Sequence, residues 1–278
     1  MGWKSSCMAL VVLALVVQTS LALAQTGDPR GSNGAHSLGG SKEEVVEMPL
    51  SDGQTQRVLY ATPAHVRGTI VMLPGGEGNV GLEDGGDIRH GHNFVVRTRS
   101  LWKARGYAVL IPDTVDHANL RGHRSTPEYA QLVRDLVTFA HRQIDRPVFL
   151  LGTSQGSIAA MNGASHAEPD SIAGVVLTES VSVLGGSGET VFDADPRGVR
   201  VPALVVANRD DRCNVAPPSA AHKIAQAMSS SHDVTVMDVE GGIAKSGTAC
   251  GSLTPHGYYG IEDDVVSRIA HWLDDHAG

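Results

Sequence analysis

From residue 43 onward the chain alternates short, unbroken apolar runs with longer stretches in which apolar residues recur every three or four positions. Gly68-Thr-Ile-Val-Met-Leu73 is the first such run and stops at Pro74-Gly75-Gly76; Tyr107-Ala-Val-Leu-Ile111 is another and stops at Pro112-Asp113. Pro147–Leu151, Ile172–Leu177, Pro202–Ala207 and Val234–Val239 continue the series. Aliphatic runs without polar alternation suit strands covered on both faces, as in a parallel sheet. Between them, Thr126 can cap a helix with Pro127 in its first turn, and Leu132, Val133, Leu136, Val137, Ala140 and Ile144 then share one face. The last helix carries Val265, Val266, Ile269, Ala270 and Leu273 as one stripe, bordered by Trp272. Such alternation needs βαβ crossovers, so the pattern predicts an α/β fold with a doubly wound, mostly parallel sheet. The segment between Leu177 and Pro202 is too short for a large cap domain, which leaves any site on that edge open to solvent.

The first 24 residues depart from this pattern. Lys4, the apolar run Met8–Val17 and the small residues Ala22 and Ala24 read as a secretory signal peptide cut after Ala24. The run is shorter than the roughly 20 residues a membrane helix needs, so no span is expected after processing. Residues 25–42, rich in Gly and Ser, read as a flexible leader, and residues 43–278 as the folded domain. The expected location is therefore the periplasm or the extracellular medium. A hydrophobic content of 41% and a charged content of 19% are those of a globular chain. The formal charge of −8 becomes one unit more negative once Lys4 is removed, which argues against nucleic acid or an anionic membrane surface as partner. Export also settles the cysteine count: Cys7 leaves with the signal peptide, and Cys213 and Cys250 remain as a pair expected to form a disulfide in an oxidising compartment.

The chemistry is concentrated where strands end. Gly152-Thr153-Ser154-Gln155-Gly156 directly follows one apolar run and precedes the helix-compatible Ser157–Ala164. A G-x-S-x-G sequence at a strand–turn–helix junction lifts a serine hydroxyl above the sheet edge, and its small flanking residues let strand and helix approach. A serine hydroxyl is a weak nucleophile and needs a base, itself oriented by an acid. The run ending at Ala207 leads into Asn208-Arg209-Asp210-Asp211, which delivers a carboxylate to the same edge; Asp211 is the first choice, Asp210 the reserve, and Glu179, after the preceding run, the alternative to both. The base is expected on a late loop before the final helix, where His256 stands in Thr254-Pro255-His256-Gly257-Tyr258. His232 opens a strand at the opposite edge, and His222, His271 and His276 lie on or beside helices.

An oxyanion would need two backbone donors, one after the nucleophile and one from the loop after an early strand. Gln155 and Gly76 fill those places. The glycines at 75, 76 and 78 also invite comparison with a phosphate loop, but the Gly-Lys-Ser/Thr ending is missing. His90, His92, His117 and His123 fall on polar loops that collect histidines without metal, so neither a metal nor a cofactor is assigned.

The GTSQG elbow, the NRDDRC segment and the PHGYYG loop before a terminal helix resemble the α/β-hydrolase superfamily over nearly all of residues 43–278. The likeness is greatest to exported bacterial hydrolases with an early LPGG loop and a paired cysteine beside the acid. It implies an esterase-like activity carried by Ser154, Asp211 and His256, with Pro74 standing where many relatives have His. The expectation is a serine hydrolase that cleaves small carboxylic esters through an acyl-enzyme. An amidase, thioesterase or acyltransferase would use the same three residues, and a non-catalytic binding domain would use the same fold.

Overall fold

The structure is a computed structural model and describes residues 42–83 and 86–278. The expected signal peptide, and residues 25–41 of the expected leader, lie outside the described residues; Lys42, expected as the last leader residue, is instead the first of the sheet.

Eight strands form one sheet: β1 Lys42–Pro49, β2 Thr55–Thr62, β3 Gly68–Leu73, β4 Tyr107–Pro112, β5 Val148–Thr153, β6 Gly174–Thr178, β7 Ala203–Asn208 and β8 Val234–Val239. Their spatial order is β1-β2-β4-β3-β5-β6-β7-β8. β3 to β8 are parallel, and β2 runs antiparallel to both β1 and β4. The helices are α1 Phe94–Arg97, α2 Arg99–Ala104, α3 Pro127–Gln143, α4 Gly156–Ser165, α5 Ala221–Ala227 and α6 Glu262–Asp275.

The lack of polar alternation in the central strands has a direct cause. Successive side chains point to opposite faces, and both faces are covered. In β3, Val71 and Leu73 join a core that includes Leu136 and Val133 of α3 and Ile158 of α4. Ile70 and Met72 join the core on the other face, with Trp102 of α2 and Ile269 and Leu273 of α6. β3 to β7 are buried along their whole length. Pro147 and Pro202 fall just outside β5 and β7, because proline has no N–H for the ladder; their carbonyls still accept from Thr69 (2.9 Å) and Val175 (3.0 Å).

Two features depart from the sequence pattern. β2 carries only the short buried run Val58–Ala61 behind polar residues, and β1 is an edge strand with most residues partly or fully exposed. Its acidic residues pair outward, Glu47 with Arg57 (2.8 Å) and Glu43 with Arg99 (2.8 Å), so the strand is held by its ladder and by surface charge rather than by an apolar face. Ile144, expected on the buried face of α3, is instead the residue after that helix and is extended (φ −157°), since the chain has to enter β5 at Val148.

Between β6 and β7 the chain makes short turns at Val191–Asp193 and Pro196–Gly198, and no cap domain forms among the described residues. The carboxyl ends of β3, β5, β6, β7 and β8 thus meet at one edge, the usual place for a site in an open α/β sheet.

Candidate active site

β5 ends at Thr153, and the next residue, Ser154, adopts a left-handed conformation (φ +54°) that side-chain-bearing residues rarely take. The flanking glycines make this turn possible. A Cβ on Gly152 would lie 2.1 Å from the Gly156 carbonyl oxygen, and one on Gly156 would lie 2.0 Å from that of Leu73. The turn is pinned by the Ser154 N–H, which donates to Thr178 (2.9 Å), and by the Ser154 carbonyl, which accepts from the Ser157 N–H (3.0 Å) and hydroxyl (2.6 Å).

His256 sits in a single helical turn, Pro255–Gly257, capped by Thr254, whose hydroxyl accepts from the His256 N–H (3.2 Å). Its ring is buried. Nε2 lies 2.9 Å from Ser154 Oγ and Nδ1 lies 2.7 Å from Asp211 Oδ2. The other Asp211 oxygen accepts from the Cys213 N–H at 2.8 Å. Ser154, His256 and Asp211 therefore stand in a continuous hydrogen-bonded line. Asp210 turns away: it is exposed, and its carboxylate accepts from the Gly241 N–H (2.7 Å).

Glu179, weighed as an alternative acid, is not bonded to His256 but lies beside the line. One oxygen each of Glu179 and Asp211 and a ring nitrogen of His256 lie within 4.8 Å of one another. Its backbone is left-handed (φ +45°), the side chain is fully buried, and Oε1 accepts from the Asn208 N–H (2.7 Å). Burial, then the neighbouring Asp211 carboxylate, pushes the Glu179 carboxyl well above its ordinary value of 4.5. Tyr258, also left-handed and fully buried, is likewise raised, by burial and then by Glu179.

The acid and base loops are tied together twice. Cys213 and Cys250, 37 residues apart, form a disulfide with a Cα–Cα distance of 4.6 Å. Asn208 makes the second tie. It is fully buried, and its side-chain amide donates to the carbonyls of Gly241 (2.9 Å) and Pro255 (3.0 Å). Nothing in the run Asn-Arg-Asp-Asp marks this residue as different from a loop asparagine, so the sequence alone does not reveal it. Arg97 braces the same base loop: it donates to the Gly257 carbonyl (2.6 Å) and pairs with Glu262 (2.8 Å).

The β3 loop lies directly on the nucleophile. A Cβ on Gly75 would be 3.0 Å from Ser154 Cβ and 2.8 Å from the Thr153 carbonyl oxygen. Gly76 follows with φ +60° and open space beside its Cα. It faces a cavity of about 110 Å³ that is also lined by Ser154, His256, Asn93, Cys250 and Ser252. Gln155, directly after Ser154, is the N-cap position of α4. Through Gly75, Gly76, Asn93 and Ser252 the cavity adjoins a polar cleft of about 340 Å³ that carries Glu77, Asn79, Arg89, His90 and His92. His123 lines a different cleft, with Leu120 and Tyr129, and His117 lies 3.4 Å from Asn79.

Residues 90–184 match the family model described as serine aminopeptidase, S33. The matched stretch is less than half of the chain and contains Ser154 but neither Asp211 nor His256. Phospholipase YtpA of Bacillus subtilis is 31% identical over 112 residues, which span 38% of this chain and 43% of that protein. The chain thus covers less than half the length of this relative. Among solved structures, the Pyrococcus furiosus esterase Pf2001 superposes with a TM-score of 0.61 at 12% identity, covering 86% of this chain and 94% of that one. The dienelactone hydrolase of Anabaena variabilis superposes with a TM-score of 0.60 at 14% identity, covering 86% and 99%. With the strand order and the serine elbow, these likenesses show that the chain has the α/β-hydrolase fold.

Proposed function

We propose that this chain is a serine hydrolase that cleaves carboxylic esters through an acyl-enzyme. The observation that carries the reading is the pair of distances at His256, 2.9 Å to Ser154 Oγ and 2.7 Å to a buried Asp211 oxygen. With its Nδ1–H donating a hydrogen bond to Asp211, His256 has a free lone pair on Nε2, so it takes the hydroxyl proton as Ser154 Oγ attacks the ester carbonyl. The tetrahedral oxyanion would be met by the N–H groups of Gln155 and Gly76. His256 then returns its proton to the departing alkoxide, and the same steps with water in place of serine release the acid. Asp211 keeps its charge throughout and stabilises the imidazolium.

Esters are favoured by the esterase, lactone hydrolase and phospholipase named among the similar proteins. A small catalytic cavity opening onto a polar cleft, with no cap above it, favours a short or polar acyl group. The disulfide supports export to the periplasm or medium, where such a bond persists. The test is a p-nitrophenyl ester series: acetate and butyrate should be turned over with kcat/KM at least ~10-fold above palmitate, and Ser154→Ala should turn over neither. A preference for palmitate would overturn the small-substrate reading.

A further inference from the structure

Among the described residues one arginine is wholly buried, and it points at the loop that faces Ser154. Arg124, in the turn before α3, has 0% of its surface exposed. Burying a guanidinium is costly unless its donors are met by well-placed acceptors. Here the two Nη groups meet two carbonyl oxygens of the β3 loop and the Gln155 side-chain oxygen, while Nε has no protein partner. Nη2 lies 2.9 Å from the Gly76 oxygen and 3.4 Å from that of Pro74, and Nη1 lies 3.4 Å from the Gln155 side-chain oxygen.

The pattern is specific in what it encloses. The Pro74 and Gly76 carbonyls belong to the peptides on either side of the one that carries the Gly76 N–H. That middle peptide is fixed through its own carbonyl, which accepts from the Gly78 N–H at 3.2 Å. Gly78 lets the guanidinium in: a Cβ there would lie 3.1 Å from Nη2. Arg124 is itself anchored from behind. Its N–H donates to Glu189 (3.0 Å), which also receives the Ser125 N–H and hydroxyl (both 2.8 Å), and its carbonyl accepts from Asn162 of α4 (2.9 Å). Glu189 thus directs its carboxylate to main chain and hydroxyl, leaving the guanidinium to the loop.

We propose that Arg124 is a positioning residue that holds the two oxyanion donors, Gly76 and Gln155, in place for the tetrahedral intermediate. The inference rests on the serine-hydrolase reading. Its planar fork spans three acceptors on two chain segments, which a single ammonium cannot do. Preorganised donors act mainly on the transition state, so loosening them lowers kcat more than it raises KM.

The experiment measures kcat and KM for p-nitrophenyl acetate with Arg124→Lys and Arg124→Met, with active sites counted by fluorophosphonate titration so that only folded, reactive enzyme enters the rate. The inhibition constant of a phenylboronic acid is measured alongside. The expected result is a ~10- to ~100-fold fall in kcat with KM within ~3-fold, and a boronate affinity that falls in step. Arg124→Lys should fold if Arg124→Met does not, and alone it decides the matter. A lowered Tm with unchanged kcat per active site and unchanged boronate affinity would overturn the proposal and leave Arg124 a packing residue. If wild-type protein gives no adduct at Ser154, it is the serine-hydrolase reading that has failed.

Discussion

At the residue scale, the site is built on side chains held in places they would not choose alone. Ser154, Glu179 and Tyr258 all take left-handed backbone conformations, and the three lie around one hydrogen-bonded centre. Glu179 is the least expected of them. Its carboxyl is raised by burial and by Asp211, so folding binds a proton that the unfolded chain releases above about pH 4.5. The stability this group contributes is therefore complete below its ordinary value of 4.5 and is lost as pH rises through the raised folded value. Glu179→Gln, neutral at every pH and able to donate to Asp211, removes that loss. Its Tm relative to wild type should climb as pH rises above the ordinary value of 4.5, by ~2–4 °C for each kcal/mol regained. A flat difference as pH rises would show that Glu179 titrates normally. Ser154, His256 and Asp211 were legible in the sequence because the reaction requires those residue types immediately after particular strands. Glu179 was legible only as an alternative acid, and Asn208 and Arg124 not at all, because the places these three take depend on burial. Arg124 in Arg-Gly-His-Arg-Ser reads as a solvated loop, and only the fold closes over it.

At the scale of elements, the site is a meeting of loops, and two of them carry the acid and the base. The bridge from Cys213 to Cys250 closes a loop of 37 residues, worth about 3–4 kcal/mol in chain-entropy terms. It also has a local effect, since the Cys213 N–H holds Asp211 and Cys250 lines the catalytic cavity. Titrated reductant at room temperature should therefore lower kcat before near-UV circular dichroism reports any loss of packing. Activity and packing lost in parallel would mean the bridge serves the fold alone. The central strands could be read from sequence because both their faces are buried, which removes polar residues from the run. β1 could not, because an edge strand secured by ladder hydrogen bonds and by Glu43 and Glu47 ion pairs has no such signature, and β2 offers only the four-residue run Val58–Ala61. The end of α3 was displaced for a related reason: Ile144 fits the helical period, but the chain has to leave the helix to reach β5.

At the scale of the molecule, an acidic α/β domain with no cap among the described residues presents Ser154 on an open edge beside a polar cleft. The solved structures it superposes on share the architecture at 12% and 14% identity, which fixes the fold and leaves the chemistry to the site. The central claim is that Ser154 is an activated nucleophile, and the direct measurement is peptide mapping by mass spectrometry after exposure of the folded, oxidised protein to a fluorophosphonate. One adduct is expected, on Ser154, and it should be lost in His256→Ala. An unlabelled Ser154 in folded protein, or labelling that survives His256→Ala undiminished, would contradict the central claim and favour a binding domain on the same fold.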